Sequence, residues 1–234
     1  MRVFPRLKSL SRAVHEEQER EHDDEEKKKA AEKLYTSLTV WRKSLLMSCN
    51  GFTVIDSYGN LVYRVDNYIG RPNEVTLMDA SGKSILTMCR RRRLGLLDSW
   101  FVYEGEVGNN INNMRTRTRR RSSNLSKSSK TPICCVRKHV NILHGNTNVQ
   151  AYVYRGASSH SDKRCAAFTI EGSYAHRTCK VLDECGRVVA EIKRKEANAK
   201  SVSFGIEIFQ LIVHPGFDPA FAMALVLLLD QMFT

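Results

Sequence analysis

Seven cysteines occur in 234 residues, yet no two of them form a CxxC pair, and no apolar signal region stands at the N-terminus. This pattern argues against a disulfide framework and against the tight ligand spacing of a zinc site. It predicts reduced thiols in the cytosol or nucleus and a chain that is not secreted. Cys134-Cys135 reads either as a redox pair or as two small residues at a strand start. The seven histidines (His15, His22, His139, His144, His160, His176 and His214) are scattered, with no HExxH pair, and there is no Gly-x-Ser-x-Gly elbow, P-loop or dinucleotide fingerprint. The nearest approach to a catalytic pairing is His176 with Cys179, which lacks an orienting third group and an oxyanion hole. No catalytic residue, metal or cofactor is therefore assigned. No run reaches the ~17–25 apolar residues of a spanning helix either.

What is present is a short helix that is apolar all the way round. Ala220 to Leu229 is unbroken apolar sequence, preceded by Asp218 as N-cap and Pro219 at the first helical position, and interrupted by Asp230 and Gln231. Such a helix must be buried on every side. A helix of 219–233 would be about 22 Å long, the rise of a seven-residue strand, so it could thread a closed β-barrel from end to end. A membrane anchor is the competing reading, and the length favours the barrel core.

Upstream of that helix the apolar period is two. An apolar strand, an Asp-x-x-Gly turn and a second apolar strand recur three times, around Asp56–Gly59, Asp79–Gly82 and Asp183–Gly186. Asp opening a type I turn and Gly in the left-handed position that follows are the chemistry of a tight hairpin. A Ca²⁺ loop would need further carboxylates and carbonyls that these turns do not carry. Further strands are expected at Ser99–Glu104, Ile133–Val136, Val149–Tyr154, Ala167–Glu171 and Ser201–Val213. Short strands with Gly-rich turns indicate an antiparallel sandwich or barrel, and the buried helix selects the barrel.

The formal charge of +12 is unevenly spread. Residues 1–33 hold nine basic and nine acidic side chains and little to pack, which reads as a solvated helix or disordered segment over 1–36, ahead of a barrel domain at 37–234. A coiled coil is disfavoured because no apolar seam runs through it. The polar insertion 108–131 reads as a flexible Arg/Ser loop. Its stretch 115–130 contains Arg115, Arg117, Arg119, Arg120, Arg121, Lys127 and Lys130 without an acid, +7 of the +12.

Several segments together resemble the plant LURP-one-related family: Leu38-Thr-Val-Trp-Arg-Lys-Ser-Leu-Leu46, Gly51-Phe-Thr-Val-Ile-Asp56, Tyr63-Arg-Val-Asp-Asn67, Leu77-Met-Asp-Ala-Ser-Gly82, Glu171-Gly-Ser-Tyr174, Lys180-Val-Leu-Asp183, Val189-Ala-Glu-Ile-Lys-Arg-Lys-Glu196, Val213-His-Pro-Gly-Phe-Asp218 and Leu229-Asp-Gln-Met-Phe233. The resemblance covers about residues 37–234. It implies a tubby C-terminal-like fold, mainly β: a closed antiparallel barrel of twelve strands around a central hydrophobic C-terminal helix, similar to tubby proteins and phospholipid scramblases. It further implies a role in plant basal defence, phosphoinositide binding and membrane-tethered transcriptional regulation. It supplies no catalytic residues.

Basic side chains are the candidate site. Arg90, Arg91, Arg92 and Arg93 follow one repeated hairpin, and Lys193, Arg194 and Lys195 follow another. Converging cations suit phosphorylated headgroups, since Arg engages two phosphate oxygens at once. The alternative is a solvated strand end. The loop arginines Arg115, Arg117, Arg119, Arg120 and Arg121 read as an anionic-membrane tether, a nuclear-import signal or a plain charged insertion. Ser123, two residues behind Arg120-Arg121, suits a basophilic kinase, and phosphate there would cancel about 1.5–2 charges. Direct DNA reading is disfavoured, with no recognition helix and no aromatics among the arginines.

The expected function is thus a non-enzymatic binding or regulatory protein whose partners are anionic phospholipid or phosphoinositide headgroups. It is expected to be monomeric and cytoplasmic, with the plasma-membrane periphery and the nucleus as further sites. The alternatives are a scramblase-like protein that inserts its C-terminal helix into lipid and, more weakly, an enzyme acting in a barrel-mouth pocket.

Overall fold

A computed structural model of the chain describes residues 35–46, 49–67, 73–91, 99–107, 130–139, 148–156, 166–195 and 204–233. These form twelve strands, β1 (Thr36–Trp41), β2 (Asn50–Ile55), β3 (Leu61–Asn67), β4 (Glu74–Asp79), β5 (Ser84–Arg91), β6 (Ser99–Glu104), β7 (Cys134–Lys138), β8 (Val149–Arg155), β9 (Phe168–Ser173), β10 (Thr178–Asp183), β11 (Val188–Arg194) and β12 (Ile208–Val213), followed by one helix, α1 (Pro219–Phe233). Every strand pairs antiparallel with its sequence neighbours, and β1 closes the circuit by pairing β12 from Thr36↔Val213 to Trp41↔Ile208. Closure leaves no strand edge exposed.

The period-two pattern places Leu38 and Val40 of β1 and Phe209, Leu211 and Val213 of β12 inside, all 1% exposed or less. In β6 and β7 both faces are covered. Trp100, Val102, Cys134 and Val136 join the inner core, while Phe101, Tyr103 and Cys135 join Cys89, Val107 and Tyr154 in a second apolar cluster on the outer wall.

The three Asp-x-x-Gly segments are hairpin turns, joining β2 to β3, β4 to β5 and β10 to β11. In the first, Asp56 Oδ1 accepts the backbone N–H groups of Tyr58 and Asn60, both at 2.8 Å, and Gly59 takes φ +87°. Each of the three hairpins also carries a register shift one step before its turn, at Val54/Ile55, Leu77/Met78 and Val181/Leu182. A type I turn closed by a left-handed glycine produces this bulge and increases local twist. The strand expected at Ser201–Val213 begins only at Ile208, because the Ile208 N–H turns back to the Gly205 carbonyl at 3.1 Å; residues 201–203 lie outside the described residues.

α1 runs through the barrel. Asp218 caps it, its Oδ1 accepting the Phe221 N–H at 2.7 Å, and every residue from Ala222 to Asp230 is buried. At about 22 Å it matches the ~20 Å rise of the six-residue strands around it. Among the described residues no helix is long and apolar enough to cross a membrane.

The all-antiparallel circuit defines two rims. Starts of odd strands and ends of even strands form a turn rim, which carries the three Asp turns and the start of α1. Ends of odd strands and starts of even strands form the opposite rim, where α1 ends and the Lys138 ammonium donates to the Met232 carbonyl at 2.9 Å. A cation at the last turn of a helix complements its dipole.

Candidate functional site

Cations from β11 and β1, the two strands that flank β12, gather on that second rim. Lys193 and Arg194 end β11, Lys195 follows them, and Lys43 follows β1, with β12 between. The Lys195 ammonium reaches across β12 to donate to Thr39 Oγ1 of β1 at 2.8 Å, joining the three strands on the outer wall. Arg194 Nε donates to the His176 carbonyl at 3.2 Å, and the Lys43 ammonium lies 5.2 Å from the Trp41 ring centre. None of these three is held by a carboxylate among the described residues. Lys193 by contrast binds Glu191 at 3.0 Å. Burial pushes the Glu191 carboxyl up, and the Lys193 ammonium, with His214 and Lys180, more than offsets this and holds it below its ordinary value.

Beside these cations stand apolar side chains that a soluble surface ordinarily hides. Trp41 is 41% exposed, Leu45 51%, Leu46 37% and Ile206 53%, four of the six exposed large apolar residues among those described. Trp41 ends β1, Leu45 and Leu46 belong to the connection to β2, and Ile206 precedes β12, so the four occupy one sector of the rim.

The mouth of the barrel at this rim is a polar cavity of about 440 Å³ lined by Arg42, Lys43, Asn50, Asp230 and Gln231 among others. Asp230, 5% exposed near the end of α1, is held by Arg42 Nε at 3.0 Å and accepts the Tyr174 hydroxyl at 3.2 Å. Burial first, and then the Asp230 charge, push the Tyr174 phenol well up, so it stays a donor. Arg177, 4% exposed, sits 4.1 Å from the Tyr174 ring and 4.4 Å from the Phe209 ring and donates to the Ile206 carbonyl at 3.0 Å. This network satisfies buried charges and ties the helix end to the wall. It presents no activated nucleophile.

The two basic clusters found in the sequence share this rim without meeting. β5 and β11 are six strands apart in a circuit of twelve, about 29 Å around the wall. Arg90 lies 5.9 Å from the Trp100 ring, and Arg91 lies 4.7 Å from the Phe101 ring and donates to the Tyr103 hydroxyl at 3.1 Å. Arg92 and Arg93 lie outside the described residues, as do Arg115, Arg117, Arg119, Arg120, Arg121 and Ser123. The flanks of that last segment, Val107 after β6 and Lys130 before β7, belong to the opposite, turn rim. Cys179 faces the core at 1% exposure, and burial pushes its thiol up to about 12, while His176 is exposed in the β9–β10 turn, so no dyad is assembled. Sequence reading missed Lys43, Trp41, Leu45, Leu46 and Ile206. The signal was a basic pair followed by leucines directly after a strand, where a turn should be polar.

Comparison with known proteins is consistent along the whole barrel. The LURP-one-related family model matches residues 36–230. Protein LURP-one-related 17 of Arabidopsis thaliana is 45% identical over 239 residues, spanning 99% of this chain and 100% of that protein. Protein LURP-one-related 8 of the same plant is 42% identical over 199 residues, covering 84% and 86% of the two chains. An X-ray structure of another A. thaliana protein superposes with a TM-score of 0.54 at 22% identity, over 84% of this chain and 90% of that one, which shows a shared fold.

Proposed function

The chain belongs to the LURP-one-related family, and from that premise we propose that it is a non-enzymatic binding protein recruited to anionic membranes through the β11–β12–β1 sector of its rim. The observation that carries the reading is the exposure of Trp41, Leu45, Leu46 and Ile206 beside Lys43, Arg194 and Lys195. An amphipathic tryptophan and short aliphatic side chains suit the headgroup boundary, and each cation near an anionic surface contributes ~1 kcal/mol. Phosphoinositides, with several phosphate oxygens per headgroup, are the preferred species for the arginine in this set. Regulation of plant defence from a membrane-held state is the role that the resemblance attaches to such binding. In the alternative, scramblase-like reading α1 would have to leave the core that now covers it on all sides, and the exposed rim needs no such release.

Co-sedimentation with phosphatidylcholine vesicles, with and without phosphoinositide, tests the proposal. Binding should require the anionic lipid and fall steeply with salt. Replacing Lys43, Arg194 and Lys195 together by Gln removes three cations, a loss on the order of 100-fold. Replacing Arg119, Arg120 and Arg121 by Gln, or Ser123 by Glu, should change binding less if the rim leads. Loss on the loop substitutions alone transfers the role to the loop, and equal binding to neutral vesicles overturns the proposal.

A further inference from the structure

At the turn rim, at the end of the barrel opposite Lys43, Arg194 and Lys195, a cavity of about 450 Å³ opens between the start of α1 and the wall from β5 to β9. This is within the ~300–1,000 Å³ of small-molecule sites. Its floor is aromatic. The Phe168 ring centre lies 5.2 Å from that of Phe217 and 6.2 Å from that of Phe221, with Phe217 and Phe221 5.7 Å apart and the rings inclined by 57–68°. Edge-to-face rings of this kind form a rigid slot that accepts a further flat ring. All three are only partly buried, and Ile133 at the mouth is 45% exposed, so the slot leaves apolar surface facing water at the end of an otherwise closed core.

Three charged side chains stand at the mouth, Glu104, Arg155 and Asp218. Arg155 is held by Glu184 at 3.0 Å. Asp218 accepts the Phe221 N–H and faces the positive end of α1. Beside Glu104, the Lys130 ammonium donates to the Glu104 and Glu106 carbonyls at 3.1 and 2.8 Å. The wall thiol, Cys134, is pushed up by burial to about 12 and stays neutral. An anion would meet the Glu104 and Asp218 carboxylates beside an arginine already paired with Glu184, and any charge seated among the rings would lose its hydration against apolar walls, a large cost. We propose that this cavity binds an uncharged, ring-bearing lipophile, with its ring between Phe168, Phe217 and Phe221 and any hydroxyl or carbonyl toward the mouth.

Two fluorescent probes with one skeleton separate the possibilities: N-phenyl-1-naphthylamine, which is neutral, and 8-anilinonaphthalene-1-sulfonate, which adds one negative charge. The full chain should bind the neutral probe saturably at one site and the sulfonate about tenfold or more weakly. Ala167→Leu, which fills the slot, and Ile133→Asp, which places a charge at the partly exposed mouth, should each weaken the neutral probe about tenfold or more. Circular dichroism and melting confirm that each variant is folded, and if Ala167→Leu fails to fold then Ile133→Asp decides. Equal or tighter binding of the sulfonate, unsaturable binding, or indifference to the substitutions in folded protein overturns the proposal. Both variants should keep the vesicle binding of the opposite rim, so failure here is distinguishable from failure of the proposed function.

Discussion

The claim that α1 is a core element and not a stored membrane anchor can be tested by comparing two leucines on the same helix. Leu225 and Leu227 are both 1% exposed, but Leu227 borders the polar cavity at the helix end and Leu225 does not. Leu→Ala in a core costs the transfer energy of the removed atoms plus a term for whatever void persists, ~2–5 kcal/mol in all. Around Leu225 the barrel wall is continuous and cannot collapse, so the cost should lie at about 4–5 kcal/mol; around Leu227 water from the mouth can occupy part of the space, and about 2–3 kcal/mol is expected. For a domain of this size each kcal/mol moves Tm by about 2–4 °C, so Leu225→Ala should lower it by roughly 8–20 °C. Urea unfolding followed by circular dichroism measures both values. Vesicle association should be unchanged in either variant below its new Tm. A cost under ~1 kcal/mol at Leu225, or release from vesicles without loss of stability, would refute the packing argument.

Two further substitutions probe the wall and its turns. Gly172 adopts φ +103° in the β9–β10 hairpin, where a Cβ would collide with the Thr178 carbonyl oxygen, so Gly172→Ala should cost at least ~2 kcal/mol in the same assay. The turn carboxylates Asp56, Asp79 and Asp183 are held below the ordinary aspartate value of 3.8, chiefly by the Asn60 side chain, the Ser81 hydroxyl and the Arg187 backbone N–H respectively. A depressed carboxyl contributes stability that is present above its unfolded value and is lost as pH falls through the folded one. Melting curves should therefore drop below about pH 4, and Asp→Asn at all three turns should flatten that acid limb; an unchanged limb would count against the turn geometry.

The parts of the fold legible in the sequence were those where one physical signal dominates. Pro219–Phe233 is apolar on every face, so burial followed without knowing the partner, and Asp218 marked its start. The Asp-x-x-Gly turns were equally plain, because the left-handed glycine leaves few alternatives. The Ser99–Glu104 strand was legible to the residue even though Phe101 and Tyr103 pack outside while Trp100 and Val102 pack inside, whereas the boundary blurred in the run ending at Val213, where the strand begins only at Ile208. The number of strands came from the family resemblance and not from periodicity. For the site, Lys193, Arg194 and Lys195 were visible as a charge run, but their neighbours Lys43 and Trp41 are more than 140 residues earlier in the chain and become adjacent only when β1 closes the barrel against β12.

That closure also decides how the net charge should be interpreted. Residues 115–130, which join β6 to β7 and therefore leave from the turn rim, carry +7 of the +12 net charge, while Lys43, Arg194 and Lys195 belong to the other end of the barrel. A flat anionic surface meeting the β11–β12–β1 sector meets a rim whose described cations are fewer but stand beside apolar side chains that can enter the headgroup layer. Charge alone attracts from a distance and is screened within about 8–10 Å in physiological salt, whereas apolar side chains act only on contact and are insensitive to salt. A face that combines the two gives attachment with a defined orientation, and on the proposed attachment through the β11–β12–β1 sector the turn rim, with its aromatic cavity, would point away from the membrane and into solution.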